Sequence, residues 1–174
     1  NTPSNPCGTC WDLEYIKSLE KILKKFPDVA ILSDEIYDSL VYGGKKHHSV
    51  GSIDTIANRT ITLGGMSKSY AMTGWRLGWA HAPMLDGAIS KAITTLQSQT
   101  TTCVSSFSIA AISKAIHEGD VHVEKMRKIF ETRAAKASKL VSEWPGVSFL
   151  SPEAAFYIFP DISNLFGSRT PKGV

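Results

Sequence analysis

The chain has 174 residues, 43% hydrophobic and 20% charged, an ordinary globular composition with enough apolar material for a core in one domain or slightly more. A net charge of +3 from 19 basic and 16 acidic residues, with no single-sign block, is too small and scattered to argue for nucleic acid or a membrane surface. No apolar run approaches a membrane span, no signal peptide opens the chain, and three cysteines make no disulfide framework, so a reducing, cytoplasmic setting is expected.

The first residue is Asn1 rather than Met, and the opening residues read as a loop leaving a strand that is not present. A piece of a larger protein is expected, which leaves a mitochondrial location as the alternative. Thr9, three residues before Asp12, is expected to cap a first helix. Leu13, Ile16, Leu19, Leu23 and Phe26 recur at helical spacing within it, and Pro27 stops it. Val29 to Leu32 is a short apolar run of the kind buried on both faces of a sheet. Thr60 to Leu63, before Gly64-Gly65, and Leu77 to Ala82, closed by Pro83, are two further candidate strands.

From Met84 the pattern is helical, with Leu85, Ala88, Ile89, Ala92, Ile93 and Leu96 as an expected core stripe. A polar loop over Gln97 to Thr102 leads to a helix near Phe107 to His117, ended by Gly119. A long helix over Val121 to Trp144 stops at Pro145-Gly146, and Val147 to Ile162 returns to strand-like composition. Strands alternating with helices argue for an α/β layer structure, and the long helix followed by new strands marks passage into a second domain.

In open α/β sheets ligands bind at the carboxyl ends of strands. Three places there carry distinct polar groups: Asn5 in Asn5-Pro6-Cys7-Gly8, Asp34 and Tyr37 in Ser33-Asp34-Glu35-Ile36-Tyr37, and Lys68 after the second strand. If the strands are parallel neighbours, these side chains meet at one sheet edge. Lys68 lies in the run Gly64-Gly65-Met66-Ser67-Lys68-Ser69-Tyr70-Ala71-Met72-Thr73-Gly74-Trp75-Arg76. An amine so placed can form an imine with an aldehyde cofactor, and a guanidinium eight residues later can hold that cofactor's phosphate. Taken singly, Asp34 reads as a turn former, Asn5 as a turn signal and Tyr37 as a half-buried aromatic; their order relative to Lys68 is what raises them together.

Other constellations carry less. Cys7-Gly8-Thr9-Cys10 has neither the second pair a zinc site needs nor a thioredoxin-like context. His47-His48 lies in a polar loop without a carboxylate or cysteine at ligand spacing and is expected at the surface, like Lys45-Lys46. Glu35 is expected to be structural. No nucleophile elbow supports Ser-His-Asp hydrolysis, and no metal site is expected.

The run around Lys68 resembles the cofactor-lysine motif of fold type I pyridoxal-phosphate aminotransferases, S-K-x-x-x-M-T-G-W-R-x-G. Asn1 to Gly8, Ile31 to Tyr42, Thr60 to Pro83 and Pro152 to Asp161 look like segments of the same family, the class I/II, aspartate-aminotransferase-like enzymes. The resemblance implies pyridoxal 5'-phosphate as cofactor, carried on Lys68, which then acts as general base and acid. It implies Asp34 beside the ring nitrogen, Tyr37 and Asn5 at the ring oxygen, and Arg76 on the phosphate. Departures are Cys7 where the family usually has Thr, Ala154 where Gly is common, and Gly65 where many members have a phosphate-binding Ser; Ser67 or Ser69 is expected to take over that contact.

The implied fold is α/β: part of the large cofactor-binding three-layer αβα domain over 1–120, a linking helix over 121–145, and the start of a small α+β domain over 146–174. The implied activity is transfer of an amino group between an amino acid and a 2-oxo acid, in a homodimer, with no nucleic-acid or membrane partner. The alternatives are a carbon–sulfur lyase or a cyclopropane-forming (ACC-synthase-like) enzyme of the same fold, from which Tyr37 leans away, and a non-catalytic module that kept the fold. The resemblance also implies that a stacking aromatic and a phosphate-binding helix start precede Asn1, and that a substrate-carboxylate arginine follows Val174. This stretch alone is therefore expected to lack full activity.

Overall fold

The computed structural model describes residues 1–169 and Gly173. Helix α1 spans Leu13–Leu23, and its cap is Asp12, not Thr9: the Asp12 carboxylate accepts from the Tyr15 backbone N–H at 2.7 Å. Thr9 is held instead in the preceding turn, where its carbonyl accepts from the Ser4 N–H at 2.8 Å. The inward side of α1 buries Ile16 against Val50 and Ile56, with Trp11, Leu23 and Ile31 packed around them. Its carboxyl end is tied off by Arg59, whose guanidinium donates to the carbonyls of Leu23, Phe26 and Val29 at 2.8, 2.6 and 2.9 Å, satisfying acceptors the helix leaves open.

Strand β1 is Ile31–Asp34, two residues later than the apolar run suggests. It is not buried on both faces: Leu32 is 67% exposed while Ser33 is buried, the alternation of a strand covered on one side. Strand β2 (Thr60–Gly65) pairs with β1 in parallel, from Ile31 opposite Thr60 to Asp34 opposite Leu63. Strand β3 (Gly78–His81) pairs antiparallel on the other edge of β2, giving the order β1-β2-β3. Gly64 is required where it stands, because a Cβ there would lie 2.1 Å from the Trp79 ring. The short helix α2 (Asp54–Ala57) lies between β1 and β2 in sequence and buries Ile56.

Beyond β3 come α3 (Ala88–Thr100), α4 (Ser106–Glu118) and α5 (Asp120–Ser142). The predicted loop over Gln97 to Thr102 is largely the last turn of α3. The apolar stripe of α3 is not core here: none of the helix is buried, and Leu96 is 65% exposed. The stripe has the right period, but no other described residues cover it.

Val147 to Ile162 forms no strand; only isolated bridges join Ser148 to Asp161 and Val41 to Ala154. Pro152 lacks a donor, and Ala155 is left-handed at φ +58°, so a regular ladder cannot run through. The chain instead lies across the loops that follow β1. The predicted last domain also includes residues 170–172 and 174, which lie outside the described residues. The architecture is α/β, with β1 and β2 carrying the loops of interest at their carboxyl ends. Among the described residues no helix is long and apolar enough to cross a membrane.

Candidate active site

The parallel pairing of β1 and β2 sets two loops side by side. At the end of β1, the Asp34 carboxylate accepts from the Ile36 N–H at 3.2 Å and turns the chain sharply, while the Glu35 N–H donates to Leu63 O at 2.9 Å. Tyr37 follows, only 3% exposed. At the end of β2, Met66 closes on Leu77 and Met72 closes on Met66, each N–H to carbonyl at 3.2 Å, and this frame presents Lys68. The two loops are joined by Ser69, buried, whose hydroxyl donates to Asp38 at 3.1 Å.

Lys68 is thereby held over two aromatic faces, its Nζ 5.8 Å from the Tyr37 ring centre and 5.6 Å from that of Phe156. Such faces attract the ammonium. The Tyr37 hydroxyl meets the Tyr157 hydroxyl at 2.5 Å. Burial pushes the Tyr37 phenol well above its ordinary value, Tyr157 and the charge of Asp34 add to the rise, and the Asn5 amide facing the hydroxyl offsets part of it. Tyr37 is therefore a neutral donor throughout the physiological range.

Asn5, Asp34 and Lys68 thus surround Tyr37. Ser67 and Arg76 flank this group along the Lys68 loop without closing on it. Ser67 is half-buried beside Lys68. Arg76 takes a left-handed φ of +54° and donates to Thr73 O at 3.0 Å. It lines a groove of about 670 Å³ with Trp75, Ser105, Phe107 and Ser108. A serine in place of Gly65 would meet backbone, since a Cβ there lies 2.9 Å from Leu77 O.

His47 is not a surface residue. Its Nε2 lies 2.9 Å from the Glu35 carboxylate, and both side chains are largely buried. Glu35 also accepts from Ser33 Oγ at 2.8 Å, Ser49 Oγ at 3.1 Å and Val50 N at 3.0 Å, so its structural reading agrees with the geometry. Burial alone would lower the His47 pKa, but the neighbouring Cys10 and the hydrogen bond and charge of Glu35 outweigh it and push it up to about 9. Among the described residues Nδ1 has no hydrogen-bond partner, so the Glu35 carboxylate at Nε2 is the hydrogen-bonded group that keeps the proton on His47. The pairing spans a dozen residues of loop, and no local spacing in the sequence reveals it.

The residues that sequence reading missed are Phe156 and Tyr157. Their segment is sewn to the other two loops by backbone bonds: Glu153 N and Ala154 N to Gly8 O at 2.8 and 2.9 Å, Tyr42 N to Glu153 O at 2.8 Å, and Ala155 N to Leu40 O at 2.8 Å. The Tyr42 hydroxyl donates to Ala155 O as well. The resemblance of Pro152 to Asp161 to the family was the available signal, but it attached no role to either side chain.

The donor set fits pyridoxal phosphate. It holds the kinds of group that cofactor needs: an amine, a carboxylate, neutral hydrogen-bonding side chains and, further along the Lys68 loop, a guanidinium.

Comparison with known proteins covers the same stretch of chain. The family model for aminotransferase class I and II matches residues 1–170. The chain is 34% identical over 174 residues to a probable aspartate/prephenate aminotransferase of Rhizobium leguminosarum bv. phaseoli, covering 99% of this chain and 43% of that one. It is 38% identical over 162 residues to the aspartate aminotransferase of Bacillus subtilis, covering 92% and 40%. Among solved structures, that of the aspartate aminotransferase from Rhizobium meliloti superposes with a TM-score of 0.93 at 34% identity, over 100% of this chain and 43% of that one. The aromatic aminotransferase from Pyrococcus horikoshii gives 0.85 at 34% identity, over 92% and 42%. The chain therefore spans less than half the length of these relatives.

Proposed function

The chain belongs to the class I and II aminotransferases, and from that premise we propose that it moves an amino group between an amino acid and a 2-oxo acid, with pyridoxal phosphate held at Lys68. The observation that carries this reading is the Lys68 amine poised over Tyr37 and Phe156, at the carboxyl ends of two parallel strands. Bound pyridoxal phosphate supplies an aldehyde that takes up amino groups and a ring that draws electrons from the substrate α-carbon.

The chain's own groups then divide the work. Lys68 would hold the cofactor through its amine, and as a free amine it would serve as the base that takes the proton from the substrate α-carbon and as the acid that gives it back. Asp34 would keep a proton on the ring nitrogen. Tyr37 and Asn5 would donate to the ring oxygen, while Arg76 and Ser67 would hold the phosphate. The Tyr37 and Phe156 rings, packed edge to face, wall one side of the amine.

In this reading residues 1–120 are part of the cofactor domain, 121–145 the linking helix and 146–174 the start of the smaller domain, in a cytoplasmic homodimer. The test is to incubate the chain with pyridoxal phosphate, reduce with borohydride and map the labelled peptide. A label on Lys68 that disappears in Lys68→Ala is expected. A label spread over surface lysines, unchanged in Lys68→Ala, defeats the proposal.

A further inference from the structure

Tyr157 arrives from the far end of the chain, 120 residues from Tyr37, and its hydroxyl comes to 2.5 Å from the Tyr37 hydroxyl. The approach is engineered by backbone geometry. Ala155 is left-handed, Gly8 accepts two N–H groups from the segment, and a Cβ on Gly8 would lie 2.8 Å from Tyr157 O. Tyr157 packs edge-on to Tyr37, ring centres 5.6 Å apart, and tilted against Phe156 at 4.9 Å. Such a junction fixes the hydroxyl and leaves it little freedom to turn away.

A phenol hydroxyl has one proton to give and two lone pairs to receive with. One proton lies between Tyr37 and Tyr157, and its ownership decides what Tyr37 can do. If Tyr37 donates to Tyr157, it has nothing left for a ligand. If Tyr157 donates, Tyr37 receives from Tyr157 and from the facing Asn5 amide, and its own proton is free to point into the site. The groups around the pair fit the second arrangement. Asp34 on β1 and Lys68 on the β2 loop are the charged groups facing Tyr37, and Lys68 has no acceptor to offer it.

We propose that Tyr157 is a positioning residue that donates its hydroxyl proton to Tyr37 and thereby commits the Tyr37 proton to the ring oxygen of pyridoxal phosphate. This rests on the reading of the site given above. Chained donors polarise one another, so Tyr37 backed by Tyr157 is a stronger donor than Tyr37 alone. Phe156, by contrast, has no proton to give and only presents its ring to Lys68 and the two tyrosines.

The experiment is Tyr157→Phe, alone and with Tyr37→Phe, in the full chain. The phenyl ring keeps the packing and removes only the donor. Two quantities are read by titration: the affinity for pyridoxal phosphate, and the pH midpoint of the bound cofactor's visible band, which reports the proton shared between the Lys68 nitrogen and the ring oxygen. A donor on that oxygen matters most when the oxygen carries full charge. Losing the Tyr157 donor therefore moves the midpoint upward, by about half a pH unit, and weakens affinity roughly threefold to tenfold, the worth of one hydrogen bond. In the Tyr37→Phe background both effects disappear.

An unchanged midpoint and affinity in Tyr157→Phe, or equal effects with and without Tyr37, overturn the proposal; a change in melting temperature alone is the mark of a merely structural tyrosine and also overturns it. If the unsubstituted chain binds no pyridoxal phosphate, the functional reading fails first and the proposal falls with it.

Discussion

The Glu35–His47 pair makes the stability of this chain depend on pH with a calculable size and sign. The His47 pKa rises from 6.5 in the unfolded chain to about 9 in the fold, and each unit of difference is worth about 1.4 kcal/mol. The shift of His47, raised by Cys10 and Glu35 together, therefore corresponds to about 3 kcal/mol, a large share of the stability of an ordinary domain. A raised histidine pKa means that this contribution is complete below pH 6.5 and is lost as the pH climbs through 9. Glu35, whose own pKa is held down, sets the lower limit, where its protonation removes the same interaction. Glu35→Gln keeps an oxygen for Ser33, Ser49 and Val50 but sets a neutral amide towards His47. Urea denaturation of the full chain at pH 6 and pH 10 is expected to show the parent losing about 3 kcal/mol across that interval and Glu35→Gln losing distinctly less. A variant as steep as its parent would show that the His47 proton is held by something else, with Cys10 the next candidate, and would refute the assignment.

Gly8→Ala should be among the most damaging single substitutions: it forces a side chain into φ +68° and against Tyr157 O at 2.8 Å. A loss above about 2 kcal/mol in urea is expected, with the tyrosine environment near Tyr37 altered in near-ultraviolet circular dichroism. Asp12→Ala removes the carboxylate that caps α1 and should cost about 1 kcal/mol, whereas Thr9→Ala should cost less than half of that if the cap is correctly placed.

The elements were legible where local chemistry decides them. Thr60 to Gly65, Ser106 to Glu118 and Asp120 to Ser142 fall within a few residues of their sequence signals, because β-branched residues, apolar period and a terminal Gly119 act over a handful of positions. The errors arose where tertiary contacts override pattern. The start of β1 is delayed because Arg59, far along the chain, takes the carbonyls of Phe26 and Val29. The stretch from Val147 to Ile162 has strand-like residues, but its backbone groups are spent singly on Gly8, Leu40 and Tyr42. The stripe of α3 is a correct reading of periodicity; periodicity says which face is apolar and nothing about what lies against it.

The candidate site was legible for a different reason. Asp34, Tyr37 and Lys68 sit within three or four residues of strand ends, so a parallel β1–β2 pair suffices to bring them to one edge, and the register of Asp34 opposite Leu63 does so. Contacts that depend on a third segment left no such trace. Tyr157 reaches Tyr37 only because the Ala155 turn and the Gly8 carbonyl fix a strand-like run in an irregular path. His47 reaches Glu35 only because the loop from Tyr42 to Val50 folds back to set Ser49 and Val50 on the Glu35 carboxylate. In both cases the sequence carries the groups but not the path between them, and the path is written in single backbone hydrogen bonds rather than in a repeating pattern. Tyr37 is where the two kinds of information meet: its place follows from its strand, and the direction of its proton from a residue 120 positions away.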